Sequence, residues 1–329
     1  MIVVTGGAGF IGANIVAELS RRSEPDIVVC DRLGRGEKWR NIAKAEIAAI
    51  VAPERLIGFL DGTGGGGVRA VIHMGAISDT TEANVDLLVE QNIDFTLGLW
   101  RWCAEREVRL IYASSAATYG DGGAGFDDDP SPEALARLRP LNAYGWSKHV
   151  IDRRIVGHVR AGEAAPPQWV GLKLFNVFGP GEVHKGAMRS VALQLYQSIA
   201  AGQAASLFRS HRPEYGDGEQ MRDFIYVKDC VDVVMWCLEH PDVSGLFNLG
   251  GGQARSFNDM ARAVFAALDA EPRITYRDTP ASLRAKYQYF TQAPMARLRA
   301  AGYERPFSSL EEGIGAYVRG YLETDDPYP

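Results

Sequence analysis

Cysteine is scarce in this 329-residue chain: Cys30, Cys103, Cys230 and Cys237 are the only four, and none is spaced CxxC. Such a set excludes a disulfide framework and a thiolate metal site. Three of the four sit within apolar runs, so they read as buried thiols of a reducing compartment. No metal is expected. The chain also lacks a long basic run, and 35 Lys+Arg against 41 Asp+Glu leave a net charge of −6. That balance argues against a nucleic-acid binder, so an anionic substrate must be recognised by a few local basic residues. No apolar run reaches the length of a membrane span. A first strand beginning at Ile2 leaves no room for a signal peptide. The expectation is a soluble, cytoplasmic protein with no nucleic-acid or membrane partner. What is present is ordinary for a globular enzyme, with 46% hydrophobic and 23% charged residues. The length suits one large or two modest domains.

Short apolar runs alternate with helical patterns. Ile2–Thr5, Ile27–Cys30, Ala70–His73, 109–113 and 169–175 read as buried strands. Helical periodicity covers 11–19 and 85–105, and the alternation predicts an α/β fold on a doubly wound parallel sheet. After Pro180 the pattern changes. Residues 191–201 read as helix, 206–220 as polar loop and 222–227 as a short strand. Residues 256–268 read as helix with Ser256 as its N-cap, and 246–249 as a late strand returning to the main sheet. The second half thus forms a smaller lobe over the carboxyl ends of the strands, where ligands bind in such sheets. Gly64–Gly67 and Gly122–Asp129 read as surface loops, the acidic residues of the latter facing solvent. No internal repeat is visible.

Gly6, Gly9 and Gly12 follow a strand and open a helix, the setting of a Rossmann-type dinucleotide fingerprint. The first glycine permits the turn, the second the approach of a pyrophosphate, and the third close helix–strand packing. Gly7, Gly9 and Gly12 also satisfy the motif, so two registers remain open. Asp31 ends the second strand, where a carboxylate takes the adenosine ribose and favours NAD. Arg32 and Lys38 follow and can neutralise a 2′-phosphate, which favours NADP. The balance leans to NADP, with NAD the close alternative. The commoner fate of such charges is simple solvation.

Tyr144 and Lys148 are four apart and share one helix face. A lysine ammonium beside a phenol favours the phenolate, lowering its pKa from about 10 toward the working range. Ser114 and Ser115 lie just past the 109–113 strand, and a serine there can hydrogen-bond a hydroxyl as it becomes a carbonyl. Each feature alone is frequent by chance. Glycine loop, serine pair and Tyr-x-x-x-Lys in this order make a site for alcohol–ketone interconversion.

In these segments, and in Arg222-Asp-Phe-Ile-Tyr-Val227 followed by Asp229, the chain resembles the extended short-chain dehydrogenase/reductase superfamily over essentially its whole length. A narrower resemblance rests on His184-Lys-Gly186 after Phe175-Asn-Val-Phe-Gly-Pro180, and on Tyr287-Gln-Tyr-Phe-Thr-Gln292 with Leu298-Arg-Ala-Ala-Gly302. These segments look like the ADP-L-glycero-D-manno-heptose 6-epimerase family. That family inverts carbon six of an ADP-activated heptose, by transient oxidation with tightly bound NADP, for the lipopolysaccharide core. The resemblance implies that Lys185 is a second acid/base facing Tyr144, because two epimers present their hydroxyls from different directions. It implies a homo-oligomer as well, with a pentamer as one form.

The same resemblance implies cofactor contacts from Phe10, Ile11, Asp31, Arg32, Lys38, Met74, Gly75, Ala76, Ile77, Ser78, Asn92 or its neighbour Gln91, Tyr144, Lys148 and Val177. It implies substrate contacts from Ser115, Asn176, Lys185, Ala187, Gln194, Phe208, Arg209, Ser210, His211, Arg222 and Tyr287. A guanidinium such as Arg222 suits a pyrophosphate, although a salt bridge to Asp223 would serve equally as its structural role. Residues 1–175 are then the NADP-binding domain, and 176–329 mostly the substrate lobe. The chain departs from the family pattern in three places. Pro53 stands where a basic cofactor contact is expected, Ala187 and Gln194 replace a serine and a histidine, and the 208–220 loop is long. The alternative function is another nucleotide-sugar epimerase, dehydratase or reductase. A dehydratase would want an acid pair where this chain has Ser115-Ala-Ala-Thr118, and a non-catalytic scaffold would have shed Tyr144 or Lys148.

Overall fold

Seven parallel strands form the central sheet of the computed structural model, which describes residues 1–62, 67–280, 284 and 287–329. In chain order these are β1 (Ile2–Thr5), β2 (Ile27–Cys30), β3 (Ala49–Val51), β4 (Ala70–His73), β5 (Arg109–Ser115) and β6 (Trp169–Leu174). After β7 (Asn176–Phe178), β8 (Ala205–Phe208) and β9 (Met221–Tyr226) comes the seventh member, β10 (Gly245–Leu249). Their spatial order is β10-β6-β5-β4-β1-β2-β3. Helices cover both faces, so a strand such as β4 is buried at every residue and reads as an unbroken apolar run. One core packs β1 and β2 against the helices Phe10–Arg21 and Val227–Glu239, and the other packs β4 and β5 against Phe95–Glu105 and Ala143–Arg160. The expected doubly wound parallel sheet is therefore present. Strand order reverses between β1 and β4, and ligands bind outside the carboxyl ends of the strands at such a reversal.

The chain after β6 builds a separate layer. β7 runs parallel to β9, and β9 antiparallel to β11 (Ala254–Ser256). A third core joins the helices Val191–Ala200, Phe257–Ala267 and Leu310–Tyr317. Ser256 caps the middle one in a full capping box with Asp259, as its position in the sequence suggested.

Four local departures from the sequence reading have physical causes. β3 carries only three residues at the sheet edge, one of them buried, and gives no periodic signal. The 85–105 helix is interrupted by a wide turn at Val89–Asp94, which buries Asn92 completely. Residues 206–208 belong to a strand, because β8 pairs in parallel with β12 (Ile274–Arg277), a partner distant in sequence. In the Gly122–Asp129 loop Asp128 does not face solvent: it is 2% exposed and accepts from the Asn248 amide at 2.7 Å. Residues 64–66 of the Gly64–Gly67 loop lie outside the described residues. Among the described residues no helix is long and apolar enough to cross a membrane.

Candidate active site

A cleft of about 650 Å³ opens at the carboxyl ends of β1, β4 and β5. The glycine loop forms its floor. Gly6 adopts φ +63°, and a Cβ there would lie 2.7 Å from the Gly75 backbone. A Cβ on Gly12 would lie 2.1 Å from the Gly6 carbonyl oxygen. The left-handed turn thus falls on Gly6. Gly9 is the N-cap of the Phe10–Arg21 helix and has no side chain to cap it, so the first-turn amides remain free for a phosphate. These features fit a dinucleotide pyrophosphate.

Asp31 follows β2 on the same wall. Its carboxylate accepts from the Ala8 amide at 3.0 Å, the Arg32 amide at 2.7 Å and the Lys38 ammonium at 2.6 Å. One carboxylate therefore holds the glycine loop and the cation together. Lining the same cleft are Phe10, Ile11, Arg32, Met74, Gly75, Ala76, Ile77, Ser78, Gln91 and Val177, all singled out from sequence. Asn92 sits behind the wall. Its side chain accepts from the Ile77 amide at 2.8 Å and donates to the Ile77 carbonyl at 3.0 Å, so it shapes the loop. Pro53 lines the cleft as well.

Ser115, Tyr144 and Lys148 meet in this cleft. Asn142 caps the helix Ala143–Arg160, its side chain accepting from the Gly145 amide at 2.8 Å, and so places Tyr144 in the first turn. The Tyr144 phenol hydrogen-bonds Ser115, which favours its ionised form, but burial outweighs this and holds its pKa above the ordinary 10. The expected lowering of the phenol by Lys148 is thus not met. Lys148 carries the downward shift instead: burial takes it to about 8, against the opposing field of Asp152. Its ammonium donates to the Ala113 carbonyl at 2.7 Å. Behind it, Asp152 Oδ2 accepts from both Lys173 Nζ and Ser114 Oγ at 2.7 Å. Thr118 Oγ1 accepts from Lys173 at 2.9 Å and donates to the Ser115 carbonyl at 2.8 Å.

Lys185 reaches the cleft from the turn Val183–Met188, with its ammonium 5.2 Å from the centre of the Phe10 ring. Burial lowers its pKa and Glu182 opposes the shift. The Glu182 carboxylate is fully buried and accepts from the Gly179 amide at 3.3 Å and Ser190 Oγ at 2.7 Å, fixing both ends of the segment that bears Lys185. Asn41, missed in the sequence because a lone asparagine carries no pattern, ties this segment to the glycine loop. Its Nδ2 donates to the Ala8 and Gly181 carbonyls, each at 3.0 Å. His184 also lines the cleft.

Asn176 lines the cleft with Ser115 and Lys185, whereas Ala187 and Gln194 are exposed beside it. The remaining substrate candidates gather in the outer lobe. Phe208 and His211 pack edge-on against Tyr287 at 6.2 and 6.4 Å. The Arg222 guanidinium lies 5.3 Å from the Tyr287 ring and 5.6 Å from Phe257, a residue of the cleft wall. Arg222 does not pair with Asp223. That carboxylate accepts from the Gly252 and Ala293 amides at 3.0 and 2.8 Å, while Arg222 donates to the Met221 carbonyl at 2.8 Å. Arg209 pairs loosely with Asp217 at 3.8 Å and Asp278 at 3.6 Å, and Ser210 Oγ donates to the Arg212 carbonyl at 2.8 Å.

Comparison with known proteins agrees with this geometry. The chain is 48% identical over 329 residues to the ADP-L-glycero-D-manno-heptose-6-epimerase of Nitratidesulfovibrio vulgaris, covering 100% of both proteins. It is 43% identical over 335 residues to the protein of that name from Fusobacterium nucleatum, again covering 100% of both. The crystal structure of the Helicobacter pylori enzyme of that name superposes with a TM-score of 0.78 at 28% identity, covering 97% of this chain and 95% of that one. The model of the NAD dependent epimerase/dehydratase family matches residues 2–250, from the first strand of the glycine loop to the end of β10. With a family model matched over most of its length and full-length relatives at 43–48% identity, the chain belongs to the NAD dependent epimerase/dehydratase family.

Proposed function

We propose that this protein interconverts ADP-D-glycero-D-manno-heptose and ADP-L-glycero-D-manno-heptose by oxidising and re-reducing carbon six. The observation that carries the reading is that Tyr144 and Lys185 line one cleft from two different elements, beside a floor suited to a dinucleotide. A nicotinamide held there supplies the oxidant for one half-reaction and the reductant for the other, so the cycle is redox-neutral. Tyr144 takes the hydroxyl proton of one epimer, with Ser115 donating to the oxygen as it becomes a ketone. Lys148 brings a buried ammonium into the same cleft, anchored on the Ala113 carbonyl. The ketone then turns, and Lys185 gives the proton to the new alkoxide on the other epimer. Burial lowers its pKa, which eases the release of its proton.

Residues 1–175 hold the dinucleotide and 176–329 mostly hold the ADP-sugar. The cluster of Phe208, Arg209, Ser210, His211, Arg222 and Tyr287 receives the adenosine diphosphate, with Arg222 at a phosphate and an aromatic ring at the base. Asn176, Ala187 and Gln194 border the sugar. The preferred cofactor is NADP, because Lys38 neutralises Asp31 and Arg32 stands at the cleft beside it. The enzyme works in the cytoplasm as a homo-oligomer and supplies the heptose of the lipopolysaccharide core. The test is to incubate the purified protein with either epimer and resolve the two by chromatography. The expected result is a mixture of both without net accumulation of reduced cofactor. No conversion, with the cofactor demonstrably bound, would turn the search to other nucleotide sugars.

A further inference from the structure

The cation that should read a 2′-phosphate is already engaged. Arg32 follows Asp31 at the end of β2 and lines the cleft. Its Nη2 lies 3.1 Å from Glu54 Oε2, and its Nη1 donates to Gln91 Oε1 at 3.0 Å. Glu54 sits in the turn Pro53–Arg55 that follows β3, next to Pro53 on the cleft wall. Burial pushes the Cys30 thiol under the floor up to about 12, and the fields of Asp31 and Glu54 add to the rise while Arg32 opposes it. Two carboxylates and two cations thus share this corner, with Lys38 on Asp31 at 2.6 Å and Arg32 on Glu54. The chain carries its own anion where a 2′-phosphate would need one of these cations.

We propose that Glu54 is a cofactor-specificity determinant: its carboxylate competes with the 2′-phosphate for Arg32 and so narrows the preference for NADP over NAD. A 2′-hydroxyl makes no demand on Arg32, so NAD leaves the pair intact. A 2′-phosphate must displace Glu54 from the guanidinium and tolerate the displaced charge nearby. The pair is open to water, with both side chains more than half exposed, so the competition is modest and screened by salt. This rests on the reading above that the cleft binds the dinucleotide with its adenosine ribose at Asp31.

Equilibrium titration of the purified protein with NADP and with NAD tests it directly, independent of turnover. In Glu54→Gln, NADP should bind roughly fivefold more tightly while NAD stays within about twofold, and the gain should shrink at 0.5 M salt. The gain should vanish when Arg32→Gln is also present, because the competition runs through the guanidinium. An unchanged NADP-to-NAD ratio in Glu54→Gln, or a gain undiminished in the double variant, overturns the assignment of Glu54 and leaves the cleft reading standing. Failure of the native protein to bind either dinucleotide overturns both. Glu54 is exposed and outside the core, so its replacement leaves the fold unaffected, a point that circular dichroism checks.

Discussion

Tyr144, Lys148 and Lys185 share a cleft but differ in what burial does to them. The phenol is raised, and both lysines are lowered. Tyr144→Phe and Lys185→Met should each slow epimer interconversion by about 10²- to 10⁴-fold, with dinucleotide binding retained; assays from either epimer check this. Near-full activity in one variant removes that residue from the two-base scheme. Lys148 predicts a pH dependence. Its charge is lost as pH rises through about 8, so kcat/KM should fall above that pH. Asp152 raises this value, so Asp152→Asn should move the alkaline limb to lower pH. The sign for stability is opposite. The folded pKa of about 8 lies below the ordinary 10.5, so the folded chain binds fewer protons in that window. This group's destabilising effect is full below about 8 and fades as pH climbs toward 10.5. A Lys148→Met protein should lose that component of its stability–pH curve.

At the scale of elements, loops do the positioning and strands hold them still. The turn at Gly6 and the contact at Gly12 leave no room for a side chain, with a Cβ on Gly12 falling 2.1 Å from a carbonyl oxygen. Gly12→Val should therefore abolish dinucleotide binding, measured by titration, even where the fold survives. Ser256→Ala removes the capping box of the helix Phe257–Ala267 and should cost about 1 kcal/mol in urea unfolding. Much of this scale was legible in the sequence. Apolar runs marked the inner strands because both faces of a parallel sheet are buried, and the glycine spacing marked the cofactor floor. What stayed hidden depends on distant partners. β8 is a strand through pairing with β12, the interrupted helix at Val89–Asp94 has no periodic signature, Asn41 bridges segments far apart in sequence, and Glu182 ties its own loop through several hydrogen bonds. The direction of the Tyr144 shift was hidden too, since desolvation depends on everything packed around it.

Over the whole molecule, the site is backed by a buried polar network that joins β5 and β6 to the Ala143–Arg160 helix. Lys173 on β6 and Asp152 on the Ala143–Arg160 helix are each 1% exposed or less, and they bind Ser114 and Thr118 next to Ser115. Lys173→Met leaves Asp152 buried without its cation and should destabilise the protein by about 3–5 kcal/mol; Asp152→Leu with Lys173→Met should recover much of that loss in urea unfolding. The fold thus invests a costly ion pair in fixing one corner of the cleft. The central claim is that this cleft oxidises carbon six and returns the same hydrogen to the other face. Its most direct test is to incubate the protein with ADP-D-glycero-D-manno-heptose in deuterated water and analyse both epimers by chromatography and mass spectrometry. The account predicts an epimeric mixture with no deuterium at carbon six and no net change in cofactor absorbance. Deuterium at carbon six of the product, or a single unconverted epimer, would contradict it.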